Sequence, residues 1–143
     1  MSNTPGFCAS FAGDLFGGIH DFQNDTLKGA LYYSTATLSP LLTTSYSATD
    51  EVVGLNYIPG GTQVFGAPKV ISGAVAYWNP ASDIVWEGLT ISDPFNALLI
   101  YNASKGNRAI GIWTFSQQVI YLSKLRLQLP PGTPTTALAQ IAA

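Results

Sequence analysis

Residues 91–102 and 108–115 form two short apolar runs rich in Leu, Ile and aromatics. Between them lies the small polar cluster Ala103-Ser104-Lys105-Gly106-Asn107, the pattern of a β-hairpin with a loop of about four or five residues. Neither run alternates cleanly between apolar and polar, so both are expected to be buried on two faces, as central strands of a sandwich or covered sheet. The hairpin carries no group that suggests chemistry.

The rest of the chain falls into pieces of similar length. Phe7, Phe11, Leu15 and Phe16 stand at i, i+4, i+8 and i+9, which predicts a short amphipathic helix stopped by Gly17-Gly18. Gly13 inside it costs about 1 kcal/mol relative to Ala. Residues 26–37 favour a strand, ended by Ser39-Pro40. The Thr- and Ser-rich segment 41–50 reads as an extended surface loop. Pro59-Gly60-Gly61 is a turn, because Pro sets φ at one corner and Gly permits positive φ at the next. A short strand at 62–65 follows, then a hairpin or bulged strand at 69–78 around Ser72-Gly73, a loop at 79–82 and a strand at 83–91. After the central hairpin, a polar break is expected at 117–121. Residues 124–129 then alternate strictly, three polar with three Leu, as a half-buried strand does. Pro130-Pro131-Gly132-Thr133-Pro134 cannot continue a sheet. The expectation is a mainly β, single-domain β-sandwich or distorted barrel with one short N-terminal helix and extended terminal arms. Its divisions are an N-terminal arm at 1–6, a body at 7–129 and a C-terminal arm at 130–143.

Composition changes this picture in one respect. Only 10% of the 143 residues are charged, although 47% are hydrophobic. A typical soluble domain carries about 25% charged residues, so much of this surface is expected to be covered by partner subunits. No apolar run reaches the roughly 20 residues of a spanning helix, and no register of alternating ten-residue segments suggests a membrane barrel. A net charge of -2 with six scattered Lys and Arg argues against a nucleic-acid partner. No basic segment followed by an apolar stretch marks the N-terminus, so synthesis and use from the cytoplasm are expected.

Candidate chemistry is sparse. The single cysteine, Cys8, lies among Phe7, Ala9 and Phe11 and is expected to be a buried small side chain rather than a reactive thiol. His20-Asp21 is the only His–carboxylate neighbour, and no nucleophile elbow accompanies it. A structural role beside the helix end is expected. Asp21 with Asp25 offers a weak alternative as a hard-cation pair, but no metal or cofactor is expected. Trp78, Trp86 and Trp113 sit in β patterns, where core packing is favoured over a carbohydrate-stacking surface.

The chain as a whole resembles a family of small virion structural proteins of tailed bacteriophages. The resemblance is carried in order by Cys8-x-Ser10-Phe11 with Gly18-Ile19-His20-Asp21-Phe22, by Asp25-Thr26-Leu27-Lys28-x-Ala30-Leu31-Tyr32, and by Ala36-Thr37-Leu38. It continues through Thr44-x-Tyr46-x-x-Thr49-Asp50-Glu51-Val52-x-Gly54, Tyr57-x-x-Gly60-Gly61, and Ala97-Leu98-Leu99-Ile100-Tyr101-Asn102-x-Ser104-Lys105-x-Asn107-Arg108-Ala109-Ile110. Where the family shows Asp-Phe-Gly after the second hairpin strand, this chain has Thr114-Phe115-Ser116.

The resemblance implies a non-enzymatic capsid cement or decoration protein on the virion surface, binding the major capsid protein and copies of itself, with a trimer favoured. Pro5, Leu41, Leu42, Tyr46, Pro130, Pro131, Pro134, Leu138 and Ile141, in the arms and the 41–50 loop, are the expected contact residues. A tail- or neck-associated adhesion or carbohydrate-binding module is the alternative.

Overall fold

The computed structural model describes residues 2–66 and 69–128, together with the backbone of residues 139–142. The elements in chain order are β1 (Gly6–Phe7), α1 (Ala9–Phe16), β2 (Leu27–Tyr33), β3 (Thr62–Val64), β4 (Val70–Ser72), β5 (Val75–Trp78), β6 (Ile84–Asn102), β7 (Arg108–Leu127) and β8 (Ala139–Ala142). They form two antiparallel sheets, one of five strands in the order β1-β7-β6-β2-β3 and one of three in the order β4-β5-β8. The fold is mainly β with one short helix, as the sequence pattern implies.

The central hairpin is β6–β7. Its connection is a 3-10 turn, Ala103–Lys105, in which the Asn102 side chain accepts from the Ser104 N–H at 3.0 Å. Gly106 and Asn107 close it in the left-handed region, at φ 65° and 60°. Residues 97–102 are all buried. Register places Ala97, Leu99 and Tyr101 on one face with Ala30 and Tyr32, and Leu98, Ile100 and Asn102 on the other with Gly29 and Leu31. The missing alternation thus reflects a strand covered on both sides. Tyr46 stacks on Tyr101 from one side, with ring centroids 4.8 Å apart, and His20 meets Asn102 from the other.

Both hairpin strands run further than the sequence pattern suggests. The strand expected at 83–91 continues into β6, and the polar break expected at 117–121 is part of β7. Register shifts between Trp86 and Leu89, Leu89 and Ile91, and Ile91 and Phe95 absorb Gly88 and Pro94, so the ladder survives residues that would stop a regular strand. The alternation from Lys124 to Leu127 is seen directly: Leu125 and Leu127 are half-buried, and Lys124 and Arg126 exposed. Leu129 lies outside the described residues.

Two further differences concern the N-terminus. Phe7 leaves the helix to pair with Gly111 in β1, and Phe11 alone is buried from α1. Phe16, expected on the apolar face, is 96% exposed. The N-terminal arm is tied down from Asn3. That side chain is buried, donates to the Tyr33 carbonyl (3.1 Å) and Asn96 Oδ1 (2.8 Å), and accepts from the Leu38 N–H (3.0 Å). One amide thereby serves the backbone where β2 ends.

Cys8 precedes α1, with its N–H bonded to the Ile110 carbonyl at 2.9 Å. Burial pushes its thiol up to about 11, so almost no thiolate exists at neutral pH. The native protein is expected to leave Cys8 unmodified by a thiol reagent at pH 8, with full reaction only in denaturant. Rapid native labelling would contradict its placement.

Candidate functional site

Two polar clusters hold loops onto the two faces of the central hairpin. The first joins α1 and the 19–26 loop to the hairpin turn. Asn102, fully buried, donates from Nδ2 to Asp25 Oδ2 at 2.7 Å and lies 3.0 Å from His20 Nδ1. Its Oδ1 is already the acceptor for Ser104, which fixes the amide orientation. His20 Nδ1 is therefore an acceptor, and the neutral imidazole carries its proton on Nε2. Nε2 has no hydrogen-bond partner, and Asp14 Oδ2 stands 3.6 Å away. Lys105 reaches Asp25 at 2.8 Å, and Arg108 reaches Asp14 at 2.8 Å, so the turn and the first residue of β7 grip both carboxylates.

The same cluster defines the surroundings of His20, Asp21 and Asp25. Ser10 Oγ and His20 Nε2 are each buried without a hydrogen-bond partner. Asp21 accepts from Asn24 Nδ2 (2.7 Å) and the Gln23 N–H (3.0 Å) and caps its own turn. Asp25 accepts from Lys105, Asn102 and the Asp21 N–H. Among the described residues, no group of three His, Cys, Asp or Glu could hold a metal ion.

Burial lowers the pKa of His20 despite the opposing pull of Asp14. The unfolded chain, with an imidazole pKa near 6.5, then takes up the proton first as pH falls, so folding free energy is lost below about pH 6.5. For Asp25, burial acts upward, but the bonds from Lys105 and Asn102 outweigh it and hold the carboxyl below the usual range. That stabilising contribution is present above about pH 4 and is lost as pH falls through the folded value. The urea midpoint is expected to fall between pH 7 and 5, and His20→Gln is expected to flatten that segment of the profile. A wild-type profile flat over this range would exclude the neutral buried imidazole.

The second cluster centres on Glu51, which is buried. It accepts from Tyr46 O–H (2.6 Å), Tyr57 O–H (2.7 Å) and the Gly60 N–H (2.8 Å), while Tyr101 O–H donates to the Gly60 carbonyl (2.6 Å). Burial and the adjacent carboxylate push both Tyr46 and Tyr57 far above the ordinary phenol value. Residues 50–52 also extend the β2 edge, through Tyr33 N–H to Asp50 O and Val52 N–H to Leu31 O, each 3.0 Å. The 45–61 segment is thereby locked over the sheet.

The neighbouring turn at 39–43 displays an apolar pair. Leu41 and Leu42 are 80% and 81% exposed on a tight turn where Leu42 and Thr43 N–H both bond the Ser39 carbonyl and Thr43 Oγ1 accepts from the Ser39 N–H. Pro5 is exposed nearby in sequence to β1. Tyr46, expected as a contact residue, is instead turned inward: its ring lies on Tyr101 and its hydroxyl on Glu51. Pro130, Pro131, Pro134 and Leu138 lie outside the described residues. Ile141 is described by backbone alone, paired with Ala76.

Val53, Leu55 and Ile58, together with Val119, Tyr121 and Leu122, are exposed apolar residues the sequence reading did not single out. Their sole signal was the low charge of the chain. Trp78 and Trp86 are buried, and Trp113 is half-buried against the edge of Phe7. A pocket of about 430 Å³ lies among α1, His20, Phe22 and β5, walled mostly by aromatic and aliphatic side chains.

No family model, curated protein or solved structure matches the chain. No helix among the described residues is long and apolar enough to cross a membrane.

Proposed function

We propose that the chain is a non-enzymatic structural subunit of a tailed-bacteriophage virion, a capsid cement or decoration protein that binds the major capsid protein and copies of itself. The observation that carries this reading is the apolar pair Leu41-Leu42, held out on a turn braced by its own hydrogen bonds. An apolar group presented on a pre-ordered turn loses little conformational entropy on docking, so most of its burial, about 25 cal/mol per Å², remains as binding free energy. The low charge and the further exposed apolar residues support extensive contact with neighbouring subunits. The resemblance supplies the virion context. The buried rings of Trp78 and Trp86 weigh against the glycan-binding alternative, which needs rings in a solvent-facing row.

The double variant Leu41→Asp, Leu42→Asp tests the reading. It is expected to keep the parent's thermal midpoint, because neither side chain packs in the core, and to lose co-sedimentation with phage heads lacking the native protein. Undiminished binding by the folded variant would remove the turn from the interface.

A further inference from the structure

Among the described residues, the outer edge of β7 has no strand beside it from residue 113 onward. β1 pairs only with Ile112 and Gly111, and no other strand stands outside β7 in the sheet order. An edge of this kind is a row of backbone donors and acceptors that fits one thing, another extended strand. Two of its carbonyls take local partners instead, Ser116 O from Gln118 Nε2 (3.0 Å) and Tyr121 O from Ser123 Oγ (2.9 Å). Leu122, at φ 44°, interrupts the edge for one residue and turns its N–H to Thr90 Oγ1.

The core is open along the same line. Ile91, Trp86 and Ile84 of β6 are buried, whereas the residues opposite them on β7, Ile120, Leu125 and Leu127, are half-buried. Phe115, edge-on to the buried Phe95 at 5.9 Å, is likewise half-covered. Solitary edges are normally guarded by bulges, which here are the register shifts against β6 and the break at Leu122, and by Lys, Pro or inward charges. Between residues 113 and 123, β7 has no Lys, Pro or charged residue.

We propose that two copies of this chain join edge to edge along β7, antiparallel about a two-fold axis at Ile120, each closing the open core of the other. The apolar pattern is self-complementary about that point. Phe115 and Leu125 lie five residues to either side of Ile120. A two-fold there sets Phe115 against Leu125 of the second copy and Ile120 against its own equivalent, an isologous contact.

Charge selects the same arrangement. Lys124 and Arg126, the only charges of β7 after Arg108, are bound by Glu87 and Asp83 of their own chain and would lie opposite Ser116 and Thr114 of the second copy. Parallel pairing in register would set Lys124 against Lys124, which is destabilising. This edge makes a dimer, not the trimer that the family resemblance suggests.

The full chain is expected to show twice the monomer mass by sedimentation velocity at micromolar concentration. Since Cys8 is buried and is the only cysteine, Ile120→Cys introduces the one accessible thiol. Mild oxidation of that variant is expected to give a disulfide-linked dimer. Gln117→Cys, which the two-fold holds about 20 Å from its equivalent, is expected to give none. Ile120→Lys is expected to weaken association at least tenfold, as loss of a central interface anchor does. If Ile120→Lys does not fold, the two cysteine variants decide alone.

A monomer at tens of micromolar, a trimer, or cross-linking at Gln117 as efficient as at Ile120 would overturn the proposal. A dimer that fails to bind heads would leave it standing and remove the virion reading instead.

Discussion

Glu51→Ala is expected to lower the folding free energy by about 3 kcal/mol or more, because three donors, two buried and one half-buried, lose their acceptor at once and each unsatisfied buried group costs about 1–3 kcal/mol. The donors are Tyr46 O–H, Tyr57 O–H and the Gly60 N–H, within 2.8 Å of the carboxylate. Relief from burying a charge offsets part of this, and a well-packed apolar substitute would offset more, but Ala leaves a hole as well as the orphaned donors. Glu51→Gln keeps one acceptor in place and is expected to cost less than half as much. Urea denaturation of the three proteins gives the comparison, with m unchanged if only stability has altered. A loss under 1 kcal/mol for Glu51→Ala would mean that the 45–61 segment is not held by this carboxylate.

Gly61→Ala is the second large effect expected, and its cause is steric. Gly61 has φ 80°, and a Cβ there would fall inside the Gly29 carbonyl of β2, which is backbone and cannot swing aside. Since Gly29 pairs with Thr62, the clash would push β3 off the sheet. A loss of about 4 kcal/mol or more, or failure to fold, is expected. Gly73→Ala provides the contrast. It has φ 60° but meets nothing within 4 Å, so it should lose only the roughly 1–2 kcal/mol of left-handed strain. Equal effects at the two sites would rule out the steric account.

How far the fold was legible in the sequence depends on the range of the interaction that set each part. Pro59-Gly60-Gly61 and the hairpin cluster around Gly106 were readable because turn chemistry is local. The uniformly apolar 97–101 run announced a strand covered on both faces, and Lys124 to Leu127 announced one covered on a single face. The length of β6 and β7 was not legible: Gly88, Pro94 and the 117–121 segment are breakers by local rules, and only pairing through register shifts overrides them. The Glu51 cluster could not be read either. Its members are spread from Tyr46 to Tyr101, and a Glu at the end of a Ser/Thr run looks like any solvated acid until the fold gathers its donors. The inward contacts of Tyr46 with Tyr101 and Glu51 were not legible for the same reason. The exposure of Leu41 and Leu42 was legible because two adjacent Leu beside a Pro, in a loop with no periodicity, have no core to enter.

The central claim, that this chain is a stoichiometric part of a virion head, is tested most directly by counting its copies in purified particles by quantitative mass spectrometry. A copy number in fixed ratio to the major capsid protein is the predicted result. Absence from purified particles, with the chain found free in the lysate, would contradict it.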